Sequence, residues 1–245
     1  MGVTILDQPP TPRSTNTGPI RDEWGYMLPM LAFLGFIWVG STWKDYYPAS
    51  YVARTVVAAV LMWAFWRCYT KIVWSHLGLG AAMGVVGLIQ WVGMEKLLMW
   101  GARHIPLLGY SSLASPEDAF RPYEYFAGYP AWVLYGWLAI RLAGATLVVP
   151  VMEELFWRDW LWRTFLAPND FKLARVGERD FRALAFVSVA FSVVHVQILT
   201  SIVWALLVGW LLIRTRSLGA CIVMHAVTNL LLGIYVLATQ DWYFW

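Results

Sequence analysis

The chain has 245 residues, 60% of them hydrophobic and 13% charged, with 17 tryptophans and a formal net charge of +3. Soluble domains carry about 25% charged residues, so the composition excludes an ordinary water-soluble fold and indicates an integral, multi-pass membrane protein. No basic face stands outside the apolar segments, which excludes a nucleic-acid partner, and the length suits one helical bundle without a separate large soluble domain.

Residues 1–24 read as a flexible tail. The first 23 are polar and Pro-rich, with Asp7, Asp22 and Glu23, and lack the basic start and small-residue cleavage site of a signal peptide. Residues 25–245 then form a single transmembrane domain. Apolar runs predict helices near 25–43, 51–66, 72–94, 130–152, 183–197, 198–213 and 218–239. The fold class is all-α, a polytopic bundle of about 7–8 membrane helices, each crossing needing about 20 residues. The 51–66 run is short, with Arg54 and Arg67 free to snorkel at its ends. Residues 95–129 form the longest connection and contain Pro106, Pro116 and Pro122. Residues 167–182 form a second, basic one with Lys172, Arg175, Arg179 and Arg182. The uncharged run 183–213 is too long for one span and too short for two, so it predicts a hairpin of short helices turning near His195 to Ile198. Tryptophans such as Trp43, Trp66, Trp91 and Trp100 fall near span ends, as an interfacial belt requires.

Orientation follows from Lys and Arg. If the N-terminus, the 67–71 loop, the 158–182 region and the 214–216 loop share one side, that side holds 12 of the 18 basic residues. The bias predicts a cytoplasmic N-terminus. Arg141 is left inside a span, to pair with Glu95 or to face a polar cavity. Cys68 and Cys221 lie in or beside apolar runs and show no disulfide framework and no metal-binding spacing.

Three polar groups interrupt the apolar runs, where ionisable side chains are rare and usually functional. The first is Glu153-Glu154-Leu155-Phe156-Trp157-Arg158. On a helix Glu154 and Arg158 are i and i+4 and can pair, while Glu153 is rotated about 100° away. One carboxylate is therefore paired and the other left available as a general base. The ordinary alternative is a helix end meeting headgroups. The second is Phe191-Ser192-Val193-Val194-His195, with Phe191 one turn before His195 on the same face. A lone buried histidine is more often simply satisfied by a neighbour. The third is His225-Ala226-Val227-Thr228-Asn229, whose His225 and Asn229 share a face and can both donate to one developing oxyanion. The pair can equally serve as interhelical glue. Together the groups supply a base, a water-positioning group and oxyanion donors, a set that suits hydrolysis better than transport. No serine is singled out as a nucleophile, and HExxH is absent. A catalytic zinc on His195, His225 and Glu153 or Glu154 is the other chemistry that these residue types permit.

The ordered triple EExxxR, FxxxH, HxxxN on successive membrane helices resembles the CAAX protease and bacteriocin-processing (CPBP) family, which includes the type II CAAX prenyl endopeptidases. The Arg214-Thr215-Arg216-Ser217-Leu218 turn is also similar. The resemblance covers about residues 130–240, while the first three spans match it only in general character. It implies a glutamate-type intramembrane endopeptidase in which Glu153 activates water with help from His195, His225 and Asn229 form the oxyanion hole, and Glu154 and Arg158 support them. It implies no cofactor. The alternative is a zinc metalloprotease using Glu153, His195 and His225, and the Asn of HxxxN, a poor zinc ligand, favours the metal-free reading. The implied partners are membrane lipid and a membrane-associated protein or peptide substrate, lipidated CAAX-type substrates among the candidates. A non-catalytic immunity, transport or scaffold protein is the alternative of a different class. Transporters often show repeated halves, and the sequence shows no internal repeat.

Overall fold

The computed structural model describes residues 19–105 and 119–245, and the Pro106 and Pro116 stretch and the tail up to residue 18 lie outside them. Among the described residues there is no strand. The main helices are α1 (Pro19–Thr42), α2 (Tyr47–Ala64), α3 (Leu77–His104), α4 (Ala131–Leu166), α5 (Phe181–Val193), α6 (Ile198–Thr215) and α7 (Leu218–Thr239). Within the described residues α3, α4, α6, α7 and the Asp22–Thr42 part of α1 are long and apolar enough to cross a membrane. The architecture is an all-α polytopic bundle, as the apolar runs predict. Helix α5, at 13 residues, spans about 20 Å by helical rise, less than a bilayer core, and it packs closely on α6.

Each predicted run becomes a helix, with bounds that shift for physical reasons. The uncharged run breaks at residues 194–197, between α5 and α6, where the sequence places its turn. Asp180 caps α5, accepting from the backbone N–H groups of Arg182 and Ala183 at 2.8 and 2.9 Å. Helix α3 starts later than expected and continues to His104, which takes ten residues out of the predicted 95–129 connection. The 130–152 run continues through the two glutamates to Leu166. Its charged continuation stays helical because Glu154 pairs with Arg158 and Asp159 with Arg163, each four residues on. Pro168 then stops it.

Helix α4 is not uniform. Residues Gly144–Val148 and Leu155–Leu161 are wound as π-helix on either side of Val149–Glu154. Pro150 explains the first widening. It has no N–H and its ring opposes an α-helical carbonyl four residues back. The N–H of Val149 reaches instead to the carbonyl of Gly144, five residues back. The carbonyl of Ala145 is thereby left without a donor from Val149 or from Pro150.

The most extensive helix pairing is α3 with α7, and glycines permit it. A Cβ at Gly80 would lie 2.4 Å from the carbonyl oxygen of Ala220, one at Gly84 2.6 Å from Val227 Cβ, and one at Gly87 2.6 Å from Thr228 Oγ1. Small residues at this spacing let helix backbones approach where water supplies no hydrophobic drive. Thr228 Oγ1 then donates to the carbonyl of Gly84 at 3.0 Å.

The loops at one end are stitched by polar contacts. Tyr26 donates to Asp159 Oδ2 at 2.9 Å, Arg163 Nη1 donates to Thr70 Oγ1 at 2.7 Å, and Arg163 Nε to the carbonyl of Ala174 at 2.8 Å. Lys172 pairs with Asp22 and donates to the carbonyl of Cys68. Ser217 caps α7 through the N–H of Ala220 and lies 2.8 Å from the carbonyl of Val73. The 65–76, 167–180 and 216–217 segments thus converge at the same end of the bundle, the end the sequence marks as basic.

Substituting Gly84→Leu should destabilise the bundle, since overpacking costs about 1–3 kcal/mol. The thermal unfolding midpoint in detergent should fall clearly. Gly35→Ala, with open space around its Cβ, should leave it nearly unchanged.

Candidate active site

Glu154 is the hub of the polar interior. Its Oε1 lies 3.3 Å from Arg158 Nη1 and 2.9 Å from His225 Nδ1. Exposures of 0% for Glu154, 1% for Arg158 and 5% for His225 bury all three in the bundle. The Glu154–Arg158 pair follows from spacing along α4. The His225 contact crosses from α4 to α7 and depends on how those helices pack. A carboxylate accepting from Nδ1–H fixes the imidazole tautomer and orientation.

Glu153 is also buried, at 7% exposure. It interacts electrostatically with His225, Glu154 and Arg158, yet its Oε2 is buried and no hydrogen bond reaches it. Glu154 Oε2 is likewise buried without a hydrogen bond, so the two adjacent carboxylates differ in that Glu154 is held through Oε1 by a cation and an imidazole, while among the described residues no side-chain hydrogen bond or ion pair holds Glu153.

Asn229 lies one turn beyond His225, and its Nδ2 donates to the carbonyl of Ala145 at 2.8 Å. That is the carbonyl which the π-wound segment and Pro150 leave free. One amide N–H of Asn229 is thereby spent on orienting the side chain and the second remains.

His195 sits in the turn between α5 and α6, half-buried. Its Nδ1 lies 2.8 Å from the carbonyl of Phe191, so Nδ1–H donates and Nε2 is left to accept. The Phe191 ring stacks on it at 4.1 Å, and Trp91 meets it edge-on at 5.9 Å. Phe191 also stacks on Trp204 at 5.3 Å, and Trp204 meets the His225 ring at 4.6 Å. The Arg158 guanidinium lies over Phe191 at 4.7 Å. An aromatic wall thus joins the two histidines, and His195 interacts electrostatically with both His225 and Arg158. Contacts and electrostatic interactions thus join Glu153, Glu154, Arg158, His195 and His225, and Asn229 lies one turn beyond His225 on α7.

Sequence reasoning misses the supports. Trp204 and the Ala145 carbonyl carry no spacing signature, although Pro150 inside an apolar run is a readable signal for a distorted helix. Glu95 is fully buried and accepts from Thr200 Oγ1 and from the Tyr243 hydroxyl, both at 2.6 Å. Gln90 donates to the carbonyl of Thr200, and Gln197 to that of Tyr243. These contacts anchor the His195 turn to α3 and to the C-terminal segment. Arg141 takes neither of its expected settings. It donates to the Tyr47 hydroxyl at 2.6 Å, and aromatic rings surround it.

A cavity of about 750 Å³ opens at the end of the bundle opposite the basic loops. Tyr47, Phe120, Tyr125, Trp242 and Phe244 give it aromatic walls, and Val196 and Gln197 bring it next to His195. Among the described residues no three His, Cys, Asp or Glu side chains are grouped to hold a metal ion. His225 and His195 each commit Nδ1 within the protein and keep Nε2, an arrangement that serves hydrogen bonding and metal ligation alike.

The fold and this cluster define a polytopic helical membrane protein with a carboxylate–imidazole centre inside the bundle. Residues 135–231 match the family model described as Type II CAAX prenyl endopeptidase Rce1-like, a stretch that contains all three motifs. The match supports the CPBP family for this chain and, in general terms, a CAAX-type membrane protease. Comparison with curated proteins and with solved structures gives no match.

Removing Arg158 while leaving Glu154 buried should cost about 3–5 kcal/mol. Arg158→Met should therefore lower the unfolding midpoint far more than Arg179→Met, a change in the basic connection. Thermal unfolding in detergent measures both.

Proposed function

We propose that the protein is a membrane-embedded endopeptidase of the glutamate type. Its substrate is a membrane-associated protein or peptide, with prenylated CAAX-type chains as the first candidates. The observation that carries this reading is the division of labour between the adjacent carboxylates: Glu154 is held through Oε1 by Arg158 and His225, whereas among the described residues no side-chain hydrogen bond or ion pair holds Glu153. A structural pair needs only one of them.

In this mechanism Glu153 takes a proton from water, and His195 positions that water through Nε2. The water oxygen attacks the carbonyl carbon of the scissile peptide. The carbonyl oxygen becomes an oxyanion, which accepts hydrogen bonds from the remaining N–H of Asn229 and, with His225 carrying a proton on both ring nitrogens so that Nδ1–H stays on Glu154, from the second ring N–H of His225. Collapse of the intermediate breaks the C–N bond, and the proton held by Glu153 passes to the leaving amine nitrogen. Glu154 and Arg158 orient His225, and Ala145 orients Asn229. The basic end of the bundle, with the N-terminus, faces the cytoplasm by the Lys and Arg bias.

Glu153→Gln should abolish cleavage while leaving the unfolding midpoint and membrane insertion intact. The measurement is a comparison of N- and C-termini across the proteome of cells carrying the wild type or the variant, which also names the substrate. Full activity in Glu153→Gln or in His195→Ala would overturn the mechanism, and binding of candidate peptides without cleavage would favour a non-catalytic role. Asn229→Ala should lower kcat about 10²–10³-fold, the usual effect of losing one oxyanion donor. Activity should survive strong chelators, and its loss there with recovery on added zinc would point to the metalloprotease alternative.

A further inference from the structure

Away from the carboxylate–imidazole cluster, two arginines hold charge inside the bundle that hydrolysis does not use. Arg54 of α2 and Arg141 of α4 lie against the same ring, that of Tyr51, with guanidinium carbons 4.1 and 4.6 Å from its centre. The two cations interact electrostatically. Arg141 is 5% exposed, with Tyr47, Trp137 and Trp245 as further aromatic neighbours. Arg54 also lies over Phe33 at 5.0 Å, and its Nε is buried without a hydrogen-bond partner. Among the described residues no carboxylate forms an ion pair with either arginine.

Two like charges held together in a low-dielectric setting repel each other and lose hydration. Aromatic faces offset part of that loss, but they accept few of the five N–H bonds that each guanidinium offers. The missing element is an anion with several acceptor oxygens, and the planar fork of arginine matches phosphate oxygens in particular. Position selects the source of the phosphate. Arg54 lies seven residues into α2 and Arg141 ten residues into α4, from the same end of the bundle. By helical rise that is about 10–15 Å below the helix starts. Exposed Trp38, Trp43, Tyr46 and Trp132 mark the interface at this end. Long arginine side chains reach back toward that level, where lipid headgroups sit.

We propose that Arg54 and Arg141 form a binding site for the phosphate of an anionic phospholipid. The site is independent of catalysis. It staples α2 to α4 at the end where the large cavity opens, so an occupied site stiffens the α4 segment leading to Gly144 and the π-wound turn.

The test uses the full chain in neutral detergent micelles doped with phosphatidylglycerol, with phosphatidylcholine, or with inorganic phosphate. Native mass spectrometry reads retained lipid, and the unfolding midpoint reads stabilisation. One phosphatidylglycerol should be retained per chain in preference to phosphatidylcholine, with saturable stabilisation. Arg54→Gln should weaken its binding about tenfold or more, the expected loss for a charge-assisted contact, and leave Glu153-dependent cleavage in place. Wild-type affinity in a folded Arg54→Gln would overturn the proposal. So would equal binding of phosphatidylcholine, and stabilisation by inorganic phosphate that displaces the lipid would reassign the site to the free anion. If Arg54→Gln does not fold, Arg54→Lys and the phosphatidylglycerol-to-phosphatidylcholine preference of the wild type decide the matter, and absence of that preference overturns it.

Discussion

The interior is organised around a single carboxylate oxygen, Glu154 Oε1, which meets both Arg158 and His225. A buried charge without partners would be costly enough to unfold the bundle or to be neutralised. Here the pair within α4 lowers that cost, and the imidazole contact converts the rest into a link between α4 and α7. Arg158 in turn lies over Phe191, which stacks on His195 and Trp204. One ion pair therefore couples four helices, and it frees the neighbouring Glu153 from structural duty.

Backbone geometry matters as much as side-chain identity. The π-wound turns flank the glutamates, and Pro150 leaves the Ala145 carbonyl free for Asn229. Register between α4 and α7 is thus set twice, by Glu154 with His225 and by Ala145 with Asn229, contacts one turn apart on α7 and nine residues apart on α4. The glycines of α3 let α7 approach closely, so α7 is held from both sides. Pre-oriented donors of this kind are what an oxyanion site needs, because reorganisation during reaction weakens their effect.

Some of this is legible along the chain and some is not. Glu154 with Arg158, Phe191 under His195, and the shared face of His225 and Asn229 are consequences of helical spacing within one segment. The hairpin at 194–197 follows from the length of an uncharged run. The contacts Glu154–His225, Asn229–Ala145, Glu95–Tyr243 and Arg141–Tyr47 join positions 71 to 148 residues apart. Spacing carries no information about such pairs. For Arg141 the expectation of an acidic partner or a polar cavity gives way to an aromatic cage: Trp137 lies one turn earlier on its own helix, and packing adds Tyr47 and Tyr51 from α2 and Trp245 from the C-terminal segment.

By itself, then, the sequence determined that the chain is an all-α membrane bundle, where most of its helices lie, and which six residues interrupt the apolar runs at helical spacing. Those properties rest on local periodicity and on the cost of placing charge in hydrocarbon. Tertiary structure decided that Glu154 also meets His225, where the Asn229 amide is anchored, and that Arg54 and Arg141 share one ring without an acid. Each depends on the register and crossing of helices distant in sequence, which are set by side-chain packing across the whole bundle.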